Sequence, residues 1–319
     1  ADTGHEDMPL AIRGNMLRPG EIAPRRFLRI IGGDDPPKFT HGSGRIDLAE
    51  AIIDPKNPLT PRVIVNRVWQ HHFGQALVGT TSNFGMLGEK PSHPELLDWL
   101  ASKFVGQKDD DFRWSLKRLH RAIVLSATYQ QASDANEHAQ SIDGDNRLLW
   151  RMNPRRLDVE AWRDAVLAST GELDTQLGGP PIDDIATSSR RTLYASVSRN
   201  GDRFDSDTFL RLFDFPVPRA TSEGRTSSVV PQQSLFLMNS SFMAERARKF
   251  TRRLESEGSD DAARIKRAYV LLYCRAVTRE EIKLGRAFLK HAEASEKHLS
   301  PWEQYAQVLL SASELMYLQ

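Results

Sequence analysis

The chain has 319 residues, of which 39% are hydrophobic and 27% are charged, so it carries enough apolar material for a substantial core. Its 43 basic and 42 acidic residues nearly cancel, which argues against a dedicated nucleic-acid-binding protein. No apolar run approaches the roughly 20 residues that cross a bilayer, and we therefore expect no membrane span.

Residues 1–44 contain many glycines and prolines and are predicted to form an extended lead-in that wraps a later core. The chain starts without an initiator methionine and without the basic and apolar segments of a signal peptide. We therefore expect it to be the carboxy-terminal part of a longer protein, with any targeting signal upstream.

Apolar residues recur at helical spacing in the part of the chain that follows. The predicted helices cover residues 47–53, 61–73, 92–105 and 115–127. Pro61 suits the first turn of the second helix, and Gly74 suits its end. Ser92 and Glu95 match a capping box that opens the third helix.

The rest of the chain is also predicted to be mainly helical. Residues 134–146 and 171–190 are rich in turn-forming residues and are predicted as loops, the first of which could also be a joint between modules. Leu193, Ala195 and Val197 alternate with more polar neighbours, which predicts a single strand over residues 191–198. This strand would either pair with the lead-in or lie as an isolated extended segment. Further helices are predicted to begin near residues 157, 231, 240, 259, 278 and 300, the last running to Leu315.

Together these patterns predict a mainly α fold. We expect an irregular multi-helix domain with long loops and at most a minor strand pairing. The predicted organisation is the lead-in over residues 1–44, a first helical subdomain over 45–140 and a second over 141–319. One continuous domain would fit the same pattern.

Standard catalytic and cofactor signatures are missing from the sequence. It has no zincin, nucleophile-elbow, Walker, dinucleotide-binding or EF-hand motif. Cys274, the single cysteine, follows an apolar run and is predicted to be buried. One cysteine cannot form an intrachain disulfide or a c-type haem attachment, and we expect neither a metal nor a cofactor in this chain.

A dense polar cluster lies between residues 66 and 72. On a helix, Arg67 and His71 share one face, where a guanidinium and an imidazole could meet an anionic group. The side chains of His71 and His72 point about 100° apart, so they are not expected to hold one metal ion alone. The same cluster could instead hydrogen-bond to neighbouring loops.

A second cluster lies between residues 155 and 164. Glu160 and Asp164 are four positions apart and could act as paired carboxylates. Alternatively, Glu160 could join Arg156 and Arg163 in an ion-pair ladder on the helix surface. The sequence leaves both interpretations open.

Three further charged segments have simpler interpretations. The turns 199–203 and 214–219 could bind a ligand or merely reverse the chain. The basic run 246–253 has no aromatic platform for bases and is predicted to be a solvated helix face. The candidate binding pocket is therefore drawn from the two clusters and from one histidine beside the predicted capping box. Its members are Asn66, Arg67, His71, His72, His93, Arg155, Arg156, Asp158 and Asp164.

Six segments, in a fixed order, carry a resemblance to a known family. They read NRVWQHHFG at 66–74, NFG at 83–85, PSHPELLDWL at 91–100, RRLD at 155–158, PQQSLFLMN at 231–239 and LLSASELMY at 309–317. Over nearly its whole length the chain resembles the planctomycete PSD domain family. This is a large carboxy-terminal domain of unknown function, associated with cytochrome c modules and abundant in planctomycetes and related bacteria.

The resemblance implies a context and no activity. In that family the domain typically follows c-type cytochrome modules, which implies an extracytoplasmic location, periplasmic or secreted. It also implies haem c on a neighbouring module, so that the expected partner is an upstream cytochrome-c-type module of the same polypeptide. No catalytic residue can be transferred from the family.

The favoured function is a non-catalytic or substrate-binding module of an extracytoplasmic, cytochrome-c-linked protein. The alternative is an enzyme that acts on an extracellular polymer such as a glycan, using a pocket of histidine, arginine and carboxylate groups. Its carboxylates would come from Asp158, Glu160, Asp164 or Asp214, with His71, His93 or Arg67 orienting the substrate. A third hypothesis, a module that docks partner proteins, would require an exposed apolar patch.

Overall fold

A computed structural model of the chain describes residues 6–293 and 299–318, so the first five residues of the predicted lead-in lie outside the described residues. The strands are β1 (Pro9–Ala11), β2 (Pro19–Ile22), β3 (Arg155–Arg156) and β4 (Tyr317–Leu318). The helices are α1 (Arg29–Gly32), α2 (Arg45–Ile53), α3 (Leu59–Phe73), α4 (Pro94–Val105), α5 (Leu116–Val124), α6 (Glu137–Ile142), α7 (Val159–Thr170), α8 (Asp205–Leu212), α9 (Pro231–Asn239), α10 (Ser241–Glu257), α11 (Asp261–Tyr273), α12 (Arg279–His291), α13 (Pro301–Leu310) and α14 (Ser313–Met316).

The predicted mainly α fold is confirmed. Across the described ranges, strands form only two small antiparallel sheets, β1 with β2 and β3 with β4. In the same ranges, every helix is too short or too polar to traverse a lipid bilayer. Residue–residue contacts divide the protein into two compact units, residues 1–153 and 154–319.

The first unit is organised around α3, which packs on α4 and α5. Apolar residues on one side of these helices meet side chains from the loops that follow α3 and α4. The resulting core consists of Val65, Trp69, Phe73, Leu77, Val78, Leu97, Leu100, Phe104, Phe112, Leu119 and Ile123. Burial of these side chains stabilises the unit by removing apolar surface from water.

The second unit is organised around α10, which packs on α7, α9, α11 and α13. Phe250 and Met243, on the buried face of α10, are inaccessible to solvent. A group of stacked and edge-on aromatic rings extends this core and consists of Trp162, Phe209, Phe213, Phe236 and Phe242. Pairing of β3 with β4 joins the beginning of this unit to its end.

Local signals placed most helix ends correctly. Gly74 and Gly171 end α3 and α7 in the left-handed conformation, with φ of 77° and 80°, where a residue without a Cβ is least strained. Ser240 caps α10 with its side chain. Thr278 and Ser300 each form a reciprocal capping box, at α12 and α13.

The strand predicted over residues 191–198 is wrong. Thr192–Tyr194 form a single 3₁₀ turn, and only an isolated bridge follows it. Leu193 is 69% exposed, so the alternation of apolar residues does not mark a buried face. The carboxylate of Asp164 accepts hydrogen bonds from the backbone N–H and the hydroxyl of Thr192, at 2.8 and 2.7 Å. The Asp164 side chain thus accepts the backbone hydrogen bond that a carbonyl of a neighbouring strand would otherwise accept.

The predicted capping box at Ser92 and the predicted loop over residues 134–146 are also wrong. The backbone N–H of Ser92 donates to the carbonyl of Leu77 at 2.8 Å, and His93 takes the N-cap position of α4 without a side-chain bond. The predicted loop contains α6, whose first turn is capped by the Asn136 side chain. At Ser92, a contact with a residue distant in sequence prevails over the local capping signal. In the segment 134–146, the prediction overlooked Asn136 as a helix cap.

Three differences concern the second unit. Cys274 is exposed, because it follows α11 in the left-handed conformation, with φ of 54°, where the chain leaves the core. The predicted last helix is interrupted after Leu310, and α14 is a separate turn. Helix α8 was absent from the prediction; the carboxylate of Asp207 accepts the N–H of Phe204 at 3.0 Å and closes its first turn.

Candidate functional site

The first unit contains an open cavity of about 610 Å³ beside the end of α3. Three segments enclose it, namely the last turns of α3, the loop between α3 and α4, and residues 147–149. The lining residues are Trp69, Gln70, Gln75, Ala76, Leu77, Gly79, Glu89, Lys90, Ser92, Arg147 and Leu149. A cavity of this size can hold a small molecule or a short segment of a polymer.

Hydrogen bonds hold the loop that forms one wall of the cavity. The carboxamide of the buried Asn66 accepts the N–H of Val78 at 2.8 Å and donates to its carbonyl at 3.0 Å. The hydroxyl of Thr80 accepts the N–H of Glu89 at 2.9 Å and so closes the loop. Gly79 lies directly against the Glu89 carboxylate, and a Cβ at this glycine would clash with it. The wall is therefore formed by the protein itself before any ligand binds.

Most polar side chains of the cavity have no hydrogen-bond or ion-pair partner in the described part of the protein. Among the described residues, none forms a hydrogen bond or an ion pair with the side chain of Gln70, Gln75, Glu89, Lys90 or Arg147. Trp69 is only 6% exposed, and its indole N–H likewise lacks a hydrogen-bond acceptor in this part of the chain. Glu89, Lys90 and Arg147 are exposed to solvent, so water rather than protein satisfies these groups and a ligand can reach them.

The predicted site residues of the first unit do not line this cavity. Asn66 is buried, and its side chain forms hydrogen bonds with the backbone of the loop at Val78. Arg67 and His71 lie exposed on α3. His93 is partly buried at the start of α4, with its Nδ1 3.0 Å from the hydroxyl oxygen of Ser92. The cavity instead uses neighbouring positions on α3.

His72, the fifth of these residues, belongs to an aromatic cluster that joins α3 to α5. Its Nε2 lies 2.7 Å from Nδ1 of His120, a hydrogen bond in which one ring must offer a lone pair. The Tyr129 ring stands edge-on to His72, with 5.3 Å between ring centroids. In the part of the chain that the structure describes, no three His, Cys, Asp or Glu side chains are grouped to hold a metal ion.

In the second unit, Arg156 belongs to a polar network with Asp214. Its guanidinium donates to Oε1 of Gln233 at 3.0 Å and to the carbonyl of Ser228, and it lies 3.6 Å from the Asp214 carboxylate. Asp214 accepts the N–H and the hydroxyl of Ser228 at 2.9 and 2.5 Å. These groups bind one another and hold the chain between residues 214 and 228.

Arg163 is fully buried and does not take part in a surface ladder of ion pairs. Its guanidinium donates to the carbonyls of Ile185 and Arg190, at 2.9 and 3.0 Å, to the hydroxyl of Thr192 at 3.0 Å, and to the carbonyl of Ser188. Burial lowers the pKa of Arg163 to about 10, so the side chain is still protonated at neutral pH. The residue organises the loop that precedes the 3₁₀ turn.

The carboxylates considered for catalysis bind different cations. Glu160 accepts two hydrogen bonds from Arg225, at 2.6 and 3.1 Å. Asp164 lies 3.7 Å from the Arg191 guanidinium, in addition to its bonds with the 3₁₀ turn. The two remaining predicted residues lie at the entrance of α7, Arg155 in β3 and Asp158 at the exposed N-cap position.

Sequence reasoning did not find Gln75, Lys90 and Arg147, because they are far apart in the chain and match no motif. The available signal was indirect. The loop between α3 and α4 contains several glycines, a composition typical of loops in which the backbone makes close contacts. Only the fold places Arg147 beside this loop.

The fold and the cavity define a class, a mainly α protein of two compact units with a ligand-sized cavity in the first. The chain belongs to the PSD1 family, described as protein of unknown function (DUF1553), whose family model matches residues 44–289. This match confirms the family resemblance carried by the sequence motifs. The chain matches no curated protein and no solved structure.

Proposed function

We propose that the chain is a substrate-binding module and that the cavity of the first unit holds a segment of a hydroxyl-rich polymer such as a glycan. The observation that supports this most directly is the set of five polar side chains that line the cavity and have no partner in the described part of the chain, namely Gln70, Gln75, Glu89, Lys90 and Arg147. Hydroxyl groups both donate and accept hydrogen bonds, so they would satisfy the carboxamides of Gln70 and Gln75 together with the charged groups.

A binding role suits the cavity better than a catalytic role. Hydrolysis of a glycosidic bond normally uses two carboxyl groups about 5–9.5 Å apart. Glu89 is the one carboxylate among the residues that line the cavity. The alternative function, an enzyme acting on an extracellular polymer, would therefore need a second acid from elsewhere.

The experiment is calorimetric titration of the purified chain with oligosaccharides from extracellular polymers. Replacing both cavity carboxamides, in the double variant Gln70→Ala and Gln75→Ala, should weaken binding about tenfold, because each hydrogen bond contributes about 0.5–1.5 kcal/mol. The control is Gln140→Ala, an exposed glutamine on α6 of the same unit, which should leave binding unchanged. A chain that binds no oligosaccharide, or a control as damaging as the double variant, would refute the proposal.

We also propose the context in which the module works. The family resemblance supports an extracytoplasmic protein in which an upstream cytochrome-c-type module carries covalent haem and serves as the partner of this chain. Cys274 alone cannot provide the paired cysteines of a haem attachment, so the haem would belong to that module. Haem staining and cell fractionation of the full-length protein test this context. A haem-free cytoplasmic protein would contradict it without touching the binding proposal.

A further inference from the structure

We infer that the cavity selects an anionic ligand, a glycan that carries carboxylate or sulfate groups, and that Lys90 and Arg147 bind those groups. This inference rests on the proposed binding function and specifies the chemical class of the ligand. The two cations reach the cavity from distant parts of the chain, Lys90 from the loop before α4 and Arg147 from the segment after α6.

The charge of the cavity is not balanced by the protein. Among the described residues, neither Lys90 nor Arg147 has a carboxylate within ion-pair distance, and Glu89 pairs with neither of them. Some exposed cations of the first unit are paired, as Arg113 is with Asp109 at 2.7 Å, whereas Arg67 and Arg121 also have no carboxylate within ion-pair distance among the described residues. The cavity therefore differs in that it brings two such cations together. Two cations and one carboxylate leave the cavity with an excess positive charge, which an anionic group would neutralise.

The hydrogen-bonding capacity of the cavity favours the same class of ligand. Guanidinium and ammonium groups are pure donors. The indole N–H of Trp69, which has no acceptor among the residues that the structure describes, adds another donor. Glu89 is the one pure acceptor among the lining side chains. Carboxylate and sulfate groups present several acceptor oxygens and no donor, so they complement this lining better than a hydroxyl group does.

The experiment compares three ligands with the whole chain by calorimetry: a short oligouronate, a sulfated oligosaccharide, and the carboxyl-reduced neutral counterpart of the oligouronate. We expect at least one acidic ligand to bind about tenfold more tightly than the neutral one, because hydrogen bonds to charged groups are roughly twice as strong. The two acidic ligands distinguish carboxylate from sulfate. Higher ionic strength should weaken the acidic ligand more than the neutral one.

Variants assign the effect to the two cations. Arg147→Ala and Lys90→Ala should each reduce affinity for the acidic ligand about tenfold and affinity for the neutral ligand about twofold or less. Arg147→Lys keeps the charge and should retain part of the preference. The matched control is Arg121→Ala, an exposed arginine on α5 of the same unit. All replaced side chains are exposed, so the variants should fold normally, which circular dichroism checks.

The outcomes separate this inference from the proposed function. Equal binding of acidic and neutral ligands would overturn the inference and leave a neutral binding site. A preference for acidic ligands that survives in both alanine variants would overturn the assignment to Lys90 and Arg147. Failure of all three ligands to bind would overturn both proposals.

Discussion

Arg163 is the buried cation around which an irregular loop of the second unit is built. Its guanidinium satisfies carbonyls that no helix or strand partner reaches, so its loss would leave several buried acceptors without donors. We expect Arg163→Ala to lower the free energy of unfolding by about 3 kcal/mol or more. The measurement is a urea denaturation curve of the variant against the parent chain.

The matched control for this prediction is Arg199→Ala, which removes an exposed arginine from a nearby segment of the same unit. Its effect should stay within about 0.5 kcal/mol, as for most surface substitutions. If the two variants unfolded at the same urea concentration, the buried hydrogen bonds of Arg163 would not contribute as we argue.

His41 and Asp47 form a pH-dependent contact at the surface of the first unit. The Nδ1 atom of His41 lies 2.5 Å from the Asp47 carboxylate, and this hydrogen bond raises the pKa of His41 above its ordinary value of 6.5. The same bond lowers the pKa of Asp47 below 3.8. The contact therefore stabilises the fold between about pH 3.8 and 6.5, and the contribution disappears as the pH rises through the folded pKa of His41.

Asp47→Asn should return the pKa of His41 towards its ordinary value, because the variant removes both the charge-assisted hydrogen bond and the charge. The pKa is measured by NMR titration of the imidazole protons. Glu50→Gln is the control, since Glu50 makes the weakest of the contributions that raise the pKa of His41. An equal fall in pKa in both variants would contradict the role assigned to Asp47.

At the scale of elements, α10 offers a direct test of side-chain capping. The hydroxyl of Ser240 accepts the N–H of Met243 at 3.2 Å, whereas the next residue, Ser241, is exposed on the first turn. Ser240→Ala should lower the free energy of unfolding by about 1 kcal/mol, because the N–H loses its acceptor. Ser241→Ala is the adjacent control and should be nearly neutral. Chemical denaturation of both variants measures the difference, and a larger loss at Ser241 would refute the assignment.

Most elements could be predicted because their signals are local. A cap residue, a glycine in the left-handed region and apolar side chains at helical spacing act within one or two turns, as at Thr278 and Gly171. Ser92 and the segment 191–198 failed for the opposite reason. Their polar groups bind partners that are distant in sequence, such as Leu77 and Asp164. No local pattern contains that information.

At the scale of the whole molecule, each unit has a core of its own, and the core of the first unit can be tested on α5. Leu119 is completely buried there, whereas Leu116 on the same helix is 49% exposed. Leu119→Ala should cost about 2–5 kcal/mol, the usual range for a buried leucine that leaves a cavity. Hydrogen exchange of the α3, α4 and α5 amides measures the loss of protection.

Leu116→Ala provides the comparison, because the same chemical change on an exposed side chain should cost about 0.5 kcal/mol or less. Equal loss of protection in the two variants would mean that the core does not depend on the inward face of α5. Circular dichroism confirms that both variants keep their helices.

The candidate site shows the limit of sequence reasoning most clearly. The polar cluster on α3 predicted Asn66 and its neighbours as site residues, and the Asn66 side chain does hold the loop that forms the wall of the cavity. The groups that face the cavity are other residues, including Lys90 and Arg147, which are separated by more than fifty positions. A pocket made from three separate segments has no signature in any one of them.

The mainly α fold, most helix boundaries and the family can be predicted from residue order, because each depends on short segments or on motifs in a fixed succession. The three-dimensional packing of the described residues is needed to see which polar groups the protein itself satisfies and which have no partner there. Arg163 donates to carbonyls of its own chain, while the Arg147 side chain lines a cavity and has no partner among the described residues. The two arginines differ in their surroundings because packing, and not residue type, decides which groups lie around a side chain.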